Sequence, residues 1–121
     1  MKILRQFRWL GPILLVSVSL LASSNSGWLG IFISVKGSGV FWNPTVESIA
    51  ITEVVSNSPA ALAHLSAGDM ILEIEGTSVV GAKGSLLRSK MKREVGELLH
   101  LKLQRKNGEA YFATLKAAKK P

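Results

Sequence analysis

Residues 98–105, LLHLKLQR, set Leu99, Leu101 and Leu103 at every second position, with His100, Lys102 and Gln104 between them. A period of two sorts side chains onto opposite faces of an extended chain and onto no single face of a helix. Asn107-Gly108 follows, a pair whose tolerance of positive φ suits the tight turn of a two-stranded hairpin. The segment AYFATL beyond it is then the returning strand. A hairpin with one leucine-lined face needs further layers to cover that face, so the chain is committed to a sheet that is dry on one side and wet on the other.

The remaining segments supply partners. Residues 28–35, WLGIFISV, are apolar and rich in branched and aromatic side chains, which reads as a strand, and Lys36 to Gly39 reads as a turn. Val40 to Trp42 with Asn43-Pro44 forms a short loop excursion. Residues 47–55 and 70–75 are two more strand candidates, the latter closed by Gly76. Ser58-Pro59 opens a short helix over AALAH, with the serine as cap and proline at the first helical position. His64 reads as the end of that helix, because histidine tolerates positive φ better than most residues. Residues 85–93, SLLRSKMKR, read as a second helix, and the terminal AKKP as a frayed tail. About five strands and two helices in roughly 90 residues predict a mainly β chain: a small antiparallel β-sandwich or partly open barrel with two helices.

Hydrophobic residues make up 47% of the 121, enough for a packed core and against general disorder. The absence of cysteine excludes a disulfide framework and a thiolate metal site. Residues 1–24 begin with Lys2, Arg5 and Arg8, run apolar from Trp9 to Ala22 and end on Ser23 and Ser24. Basic start, short apolar run and small residues predict a signal peptide. The run is shorter than the ~20 residues of a spanning helix, and Gly11 and Pro12 interrupt it. An uncleaved anchor is the alternative. Either places the rest outside the cytoplasm, periplasmic or extracellular, and the lack of a following cysteine rules out a lipid-modified terminus. The formal net charge is +7; residues 1–24 hold three basic residues and no acid, so residues 25–121 carry +4.

The segment VVSNSPAALAHLSAGDMILEIEGTSV resembles the central signature of PDZ domains, specifically those of bacterial high-temperature-requirement serine proteases and carboxy-terminal processing proteases. Ser58-Pro59-Ala60-Ala61, Gly68-Asp69 before Ile71-Leu72, and Gly76 with Val79 carry the likeness, and Gly96, Leu101, Arg105 and Gly108 follow in order. It spans residues 27–116, giving a domain at 25–118 and a tail at 119–121. The resemblance implies the circularly permuted bacterial form, in which the last strand, around Tyr111 to Leu115, replaces the first strand of animal members. It further implies that Trp28-Leu29-Gly30-Ile31 is the loop receiving a peptide's terminal carboxylate on backbone N–H groups. The peptide would add as a strand beginning at Ile31. Leu29, Ile31 and Ile33 would share one face and line the pocket for the last apolar side chain, with Leu87 and Met91 as the opposite wall. All five also suit plain core positions. Trp28 departs from the glycine of many eukaryotic members, and no histidine lies near 82–87, so a hydroxyl-specific ligand class has no support.

The chain offers no catalytic set. Asp69 is its one aspartate and belongs to a turn, and neither His64 nor His100 sits in a nucleophile motif or a metal signature. The reading is a binding module without cofactor or metal, an adaptor or regulator whose partners are carboxy-terminal or extended protein segments. The other binding candidate is the basic stretch Arg88, Lys90, Lys92 and Arg93. It is either a solvated helix face or a contact for phospholipid head groups or another acidic polymer. No aromatic residue interleaves it, which argues against nucleic acid.

Overall fold

The computed structural model describes residues 25–121, and the expected signal peptide or anchor at 1–24 lies outside the described residues. The elements run β1 (Ile31–Ser38), β2 (Thr45–Val54), α1 (Pro59–Leu62), β3 (Met70–Ile74), β4 (Thr77–Ser78), α2 (Gly84–Met91), β5 (Leu98–Gln104) and β6 (Ala110–Lys116). All pairings are antiparallel, in the order β1-β2-β3-β5-β6, with the short β4 added to β3. The sheet does not close, so β1 and β6 are its outer strands. This is the mainly β chain with two helices that the periodicities imply.

The leucine alternation sets the register. Leu98 to Gln104 pair in unbroken sequence with Lys116 to Ala110, which sends Leu99, Leu101 and Leu103 inward with Ala113 and Leu115. Val46, Ile49 and Ile51 from β2, Ile71 and Ile74 from β3, Val79 and Leu87 complete one core. The Ser58 hydroxyl accepts from the Ala61 N–H at 3.1 Å and caps α1 as its position predicts. His64 does take a positive φ, 66°, directly after that helix, and its carbonyl accepts from Arg105 at 3.1 Å.

The largest differences from the sequence reading fall in β1 and α2. Residues 28–30 are not in β1, because Gly30 stands at φ +81° and turns the chain out of the extended region. Lys36 to Ser38, read as a turn, instead continue β1 opposite Ser48, Val46 and Thr45. The register slips between Lys36 and Gly37, where a Cβ on Gly37 would sit 2.8 Å from the Thr45 carbonyl oxygen. That glycine serves a bulge rather than a turn. Helix α2 stops at Met91, so Lys92 and Arg93 lie beyond it. The tail AKKP is tied at its first residue, since Trp28 and Ala118 exchange backbone hydrogen bonds of 2.7 and 3.0 Å.

Asp69 closes the other end of the sheet. Its buried carboxylate accepts from the Ser66 N–H, from Arg105 at 2.9 Å and from the Tyr111 hydroxyl. The Arg105 guanidinium lies 3.8 Å from the centre of the Tyr111 ring. Burial, reinforced by the Asp69 carboxylate, holds the Tyr111 hydroxyl firmly protonated.

Candidate functional site

Three consecutive carbonyls set the geometry of the segment before β1. The Trp28 carbonyl accepts from Ala118 N–H at 3.0 Å, that of Leu29 from Ala60 at 3.0 Å, and that of Gly30 from Val55 at 2.8 Å. In a trans peptide unit the carbonyl and the following N–H point opposite ways, and no peptide bond described is cis. The N–H groups of Leu29, Gly30 and Ile31 are therefore turned away from the scaffold that holds the carbonyls. Leu29 and Gly30 donate to no acceptor among the described residues. Successive N–H groups left without a partner are the kind of group that can receive an anion.

Beside this segment runs an unpaired strand edge. β1 pairs with β2 on one side only, and the whole strand from Phe32 to Ser38 is exposed. Ile33 is 40% exposed and Val35 48%. A long apolar edge of this kind is an adhesive surface unless something covers it.

Helix α2 stands across from that edge. Its first turn is fastened to the loop between β1 and β2: Gly84 N–H donates to the Pro44 carbonyl at 2.8 Å, and Ser85 N–H to Asn43 Oδ1 at 2.9 Å. Lys83, at the cap position, makes no side-chain cap of its own, so Asn43 supplies it from a distant part of the chain. Beyond the helix, the Arg93 carbonyl accepts from Gly27 N–H at 2.7 Å, just ahead of the Trp28–Gly30 segment. The two walls are thus joined at both ends. Between them lies a groove of about 320 Å³ lined by Ile33, Val35, Phe41 and Pro44 on one side and Gly84, Leu87, Arg88 and Met91 on the other. Val46, Ile49, Ile71 and Ile74 form its floor.

The residues singled out from sequence divide accordingly. Ile33, Leu87 and Met91 line the groove from its two sides. Leu29 and Ile31 do not line it and pack partly buried on the core. The turn at Gly30 and a register slip between Phe32 and Ile33 interrupt the alternation that would have put all three on one face. Gly30 itself is buried, and a Cβ there would collide with the Ser58 side chain. Val35, Phe41 and Pro44 escaped the sequence reading. Val40-Phe41-Trp42, an apolar triplet inside a loop, was the available signal, and Phe41 is 88% exposed.

The basic stretch is not one helical face. Arg93 lies past α2 and is occupied: it meets Glu75 at 3.0 Å and donates to the Leu98 and Lys92 carbonyls at 2.8 and 2.6 Å. Glu75 also accepts from the His100 N–H at 2.7 Å. That bond, with Arg93 beside it, lowers the Glu75 carboxyl from 4.5 to about 2. Arg88, Lys90 and Lys92 have no ion-pair partner among the described residues. The described residues contain no cluster of three His, Cys, Asp or Glu side chains that could hold a metal ion.

The family model of the PDZ domain matches residues 17–104. β6 lies beyond that match, although it pairs with β5 along its full length. Among solved structures, the PDZ domain of a carboxy-terminal protease from Vibrio cholerae, in complex with a peptide, aligns at TM-score 0.60 and 22% identity over 79% of this chain and 96% of that domain. The HtrA-type protease AlgW with a decapeptide aligns at TM-score 0.58 and 23% identity over 79% of this chain and 30% of the protease. A serine endoprotease from Yersinia pestis gives TM-score 0.54 at 19% identity over 85% of this chain and 36% of its own. The chain thus spans about a third of either whole protease. No curated protein matches it.

Proposed function

Because the chain belongs to the PDZ domain family, a family of binding modules, we propose that its groove captures the extended end of a peptide or protein by strand addition along β1. The observation that carries this is the anchoring of the Trp28, Leu29 and Gly30 carbonyls at the start of a free strand edge, which leaves the Leu29 and Gly30 N–H groups without an acceptor among the described residues. A terminal carboxylate would take those N–H groups, and each hydrogen bond to a charged acceptor is stronger than one to a neutral group. The following peptide units would pair with β1 irrespective of sequence. The last apolar side chain would fill the groove between Ile33, Leu87 and Met91. The Vibrio cholerae domain in complex with a peptide and AlgW with a decapeptide share the fold and support peptide capture here.

The module would act outside the cytoplasm, as an adaptor or regulator in the cell envelope. The basic start, apolar run and small residues of positions 1–24 support that placement.

Titration of the full-length protein with a peptide ending in an apolar residue, with its amidated twin and with a twin ending in serine tests the groove. Amidation removes the charge that the N–H groups receive and should cost about tenfold or more in affinity. The serine twin should lose a similar factor through the emptied groove. Indifference to both changes would refute the assignment.

A further inference from the structure

The charge of the described residues is segregated. The stretches that build the groove walls, residues 25–46 and 83–93, hold six basic residues and no acidic one: Lys36, Lys83, Arg88, Lys90, Lys92 and Arg93. The other described residues hold the remaining six basic and all eight acidic residues. The walls therefore carry +6, and everything else −2. Of the six wall cations, Arg93 alone has an ion-pair partner among the described residues. Elsewhere Lys102 and Arg105 each sit on a carboxylate.

Position sharpens the point. Arg88 shares the groove-facing side of α2 with Gly84, Leu87 and Met91 and lines the groove itself. It also borders a second hollow of about 540 Å³ beyond Met91, reached by Ser26, Gly27, Lys92 and Arg93. Glu94 and Glu97 line that hollow too, so the basic stretch ends there and the uninterrupted positive charge lies along the groove itself. Lys36 lies on β1 one residue past Val35. Side chains alternate along a strand, so Lys36 faces away from the groove and neighbours the residues of an added strand that do the same. An occupant would meet an apolar floor through alternate side chains and cations at the residues between.

We propose that the groove is matched to an acidic tail: an extended segment whose apolar anchor is flanked by aspartate or glutamate. This rests on the strand-addition reading and adds the charge of the partner to it. Arg88 supplies the contact within the groove, and Lys36, Lys83, Lys90 and Lys92 supply the field around it. A predominantly basic rim of this kind raises the encounter rate of an oppositely charged partner and penalises a like-charged one.

Three ten-residue peptides sharing one apolar carboxy-terminal residue, with glutamate, serine or lysine at the flanking positions, separate the possibilities when titrated into the full-length protein. At about 50 mM salt the glutamate peptide should bind about tenfold more tightly than the serine peptide, and the lysine peptide more weakly than both. At about 500 mM salt, where the screening length shrinks to a few ångströms, the ratio should fall to about twofold. The pair Arg88→Glu with Lys92→Glu should abolish the preference of the glutamate peptide over the serine peptide. Arg88→Gln alone, a milder surface change, should reduce the preference by part of that amount.

Equal binding of the glutamate and serine peptides at low salt would overturn the acidic-tail proposal and leave strand addition intact. Failure of all three to bind would overturn both. A preference that survives charge reversal would place the selecting charge outside the groove and overturn it too. Binding to vesicles containing phosphatidylglycerol, abolished by the same charge reversal while the peptides are not distinguished, would make a lipid surface the partner of these cations instead.

Discussion

Gly30 is subject to two independent demands. Its φ of +81° lies where side chains are strained, and a Cβ would enter the space of the Ser58 side chain that caps α1. Gly30→Ala should therefore cost about 3 kcal/mol of stability in urea unfolding, from backbone strain and overpacking together. Loss of binding in that variant would then report unfolding, which is why the Leu29 and Gly30 N–H groups are better probed from the peptide's end. Glu75 yields a different expectation. The His100 N–H first, and then Arg93, hold its carboxyl at about 2 against an ordinary 4.5. A lowered folded value means that its contribution is complete above 4.5 and drains away as pH falls toward 2. Thermal unfolding should lose stability across that interval, and Glu75→Gln should flatten the decline. A variant with an unchanged slope would remove Glu75 from the acid response. At this scale the sequence was informative wherever the demand was local. Ser58 as cap and His64 at positive φ follow from what those residues do to their own backbone. Gly30 stands in the loop that the family resemblance implies, but the Ser58 side chain that forbids a Cβ there comes from another element.

Among the elements, α2 is the one whose placement makes the groove. It has no acidic residue in its first turn and no cap of its own, and its hydrophobic stripe is narrow, with Leu87 its one buried residue. Asn43 and Pro44 hold its start. Asn43→Ala should cost about 1 kcal/mol, the usual worth of a helix cap. Because the loss falls at the groove wall, peptide affinity should decline in the same variant while unfolding of the β5–β6 hairpin, followed by amide exchange, stays unchanged. Equal loss of protection throughout the sheet would show that α2 and the sheet unfold as one unit and that the cap has no local effect. The β5–β6 hairpin was legible to within a residue because its alternation and its Asn-Gly turn are short-range properties. β1 and α2 were displaced by up to three residues at an end. Their limits depend on partners: Gly37 accommodates the Thr45 carbonyl, and Arg93 is drawn out of helix by Glu75, Leu98 and Gly27.

Across the whole molecule, the first described residues are already built into the domain. The Asn25 carbonyl accepts from Val95 N–H at 3.2 Å, and Gly27 and Trp28 are bonded to Arg93 and Ala118. If positions 1–24 are a signal peptide, cleavage should fall close to Ser24 and spare these ties. Amino-terminal sequencing of protein recovered from the cell envelope should then begin near Asn25, whereas an intact Met1 in the membrane fraction would establish an anchor. The amino-acid sequence by itself determined the fold class, the family likeness, the leucine-faced hairpin and the gross charge, because periodicity, turn chemistry and composition act over a few neighbouring residues or over none. It also held the charge segregation, but only as scattered letters. The tertiary structure alone decided that residues from 25–46 and 83–93 line one groove, that Ile33 shares it with Leu87 and Met91 while Leu29 and Ile31 pack on the core, and that the Trp28, Leu29 and Gly30 carbonyls are held by other segments. Those facts depend on bonds between segments far apart in the chain, and no local propensity encodes such a distance.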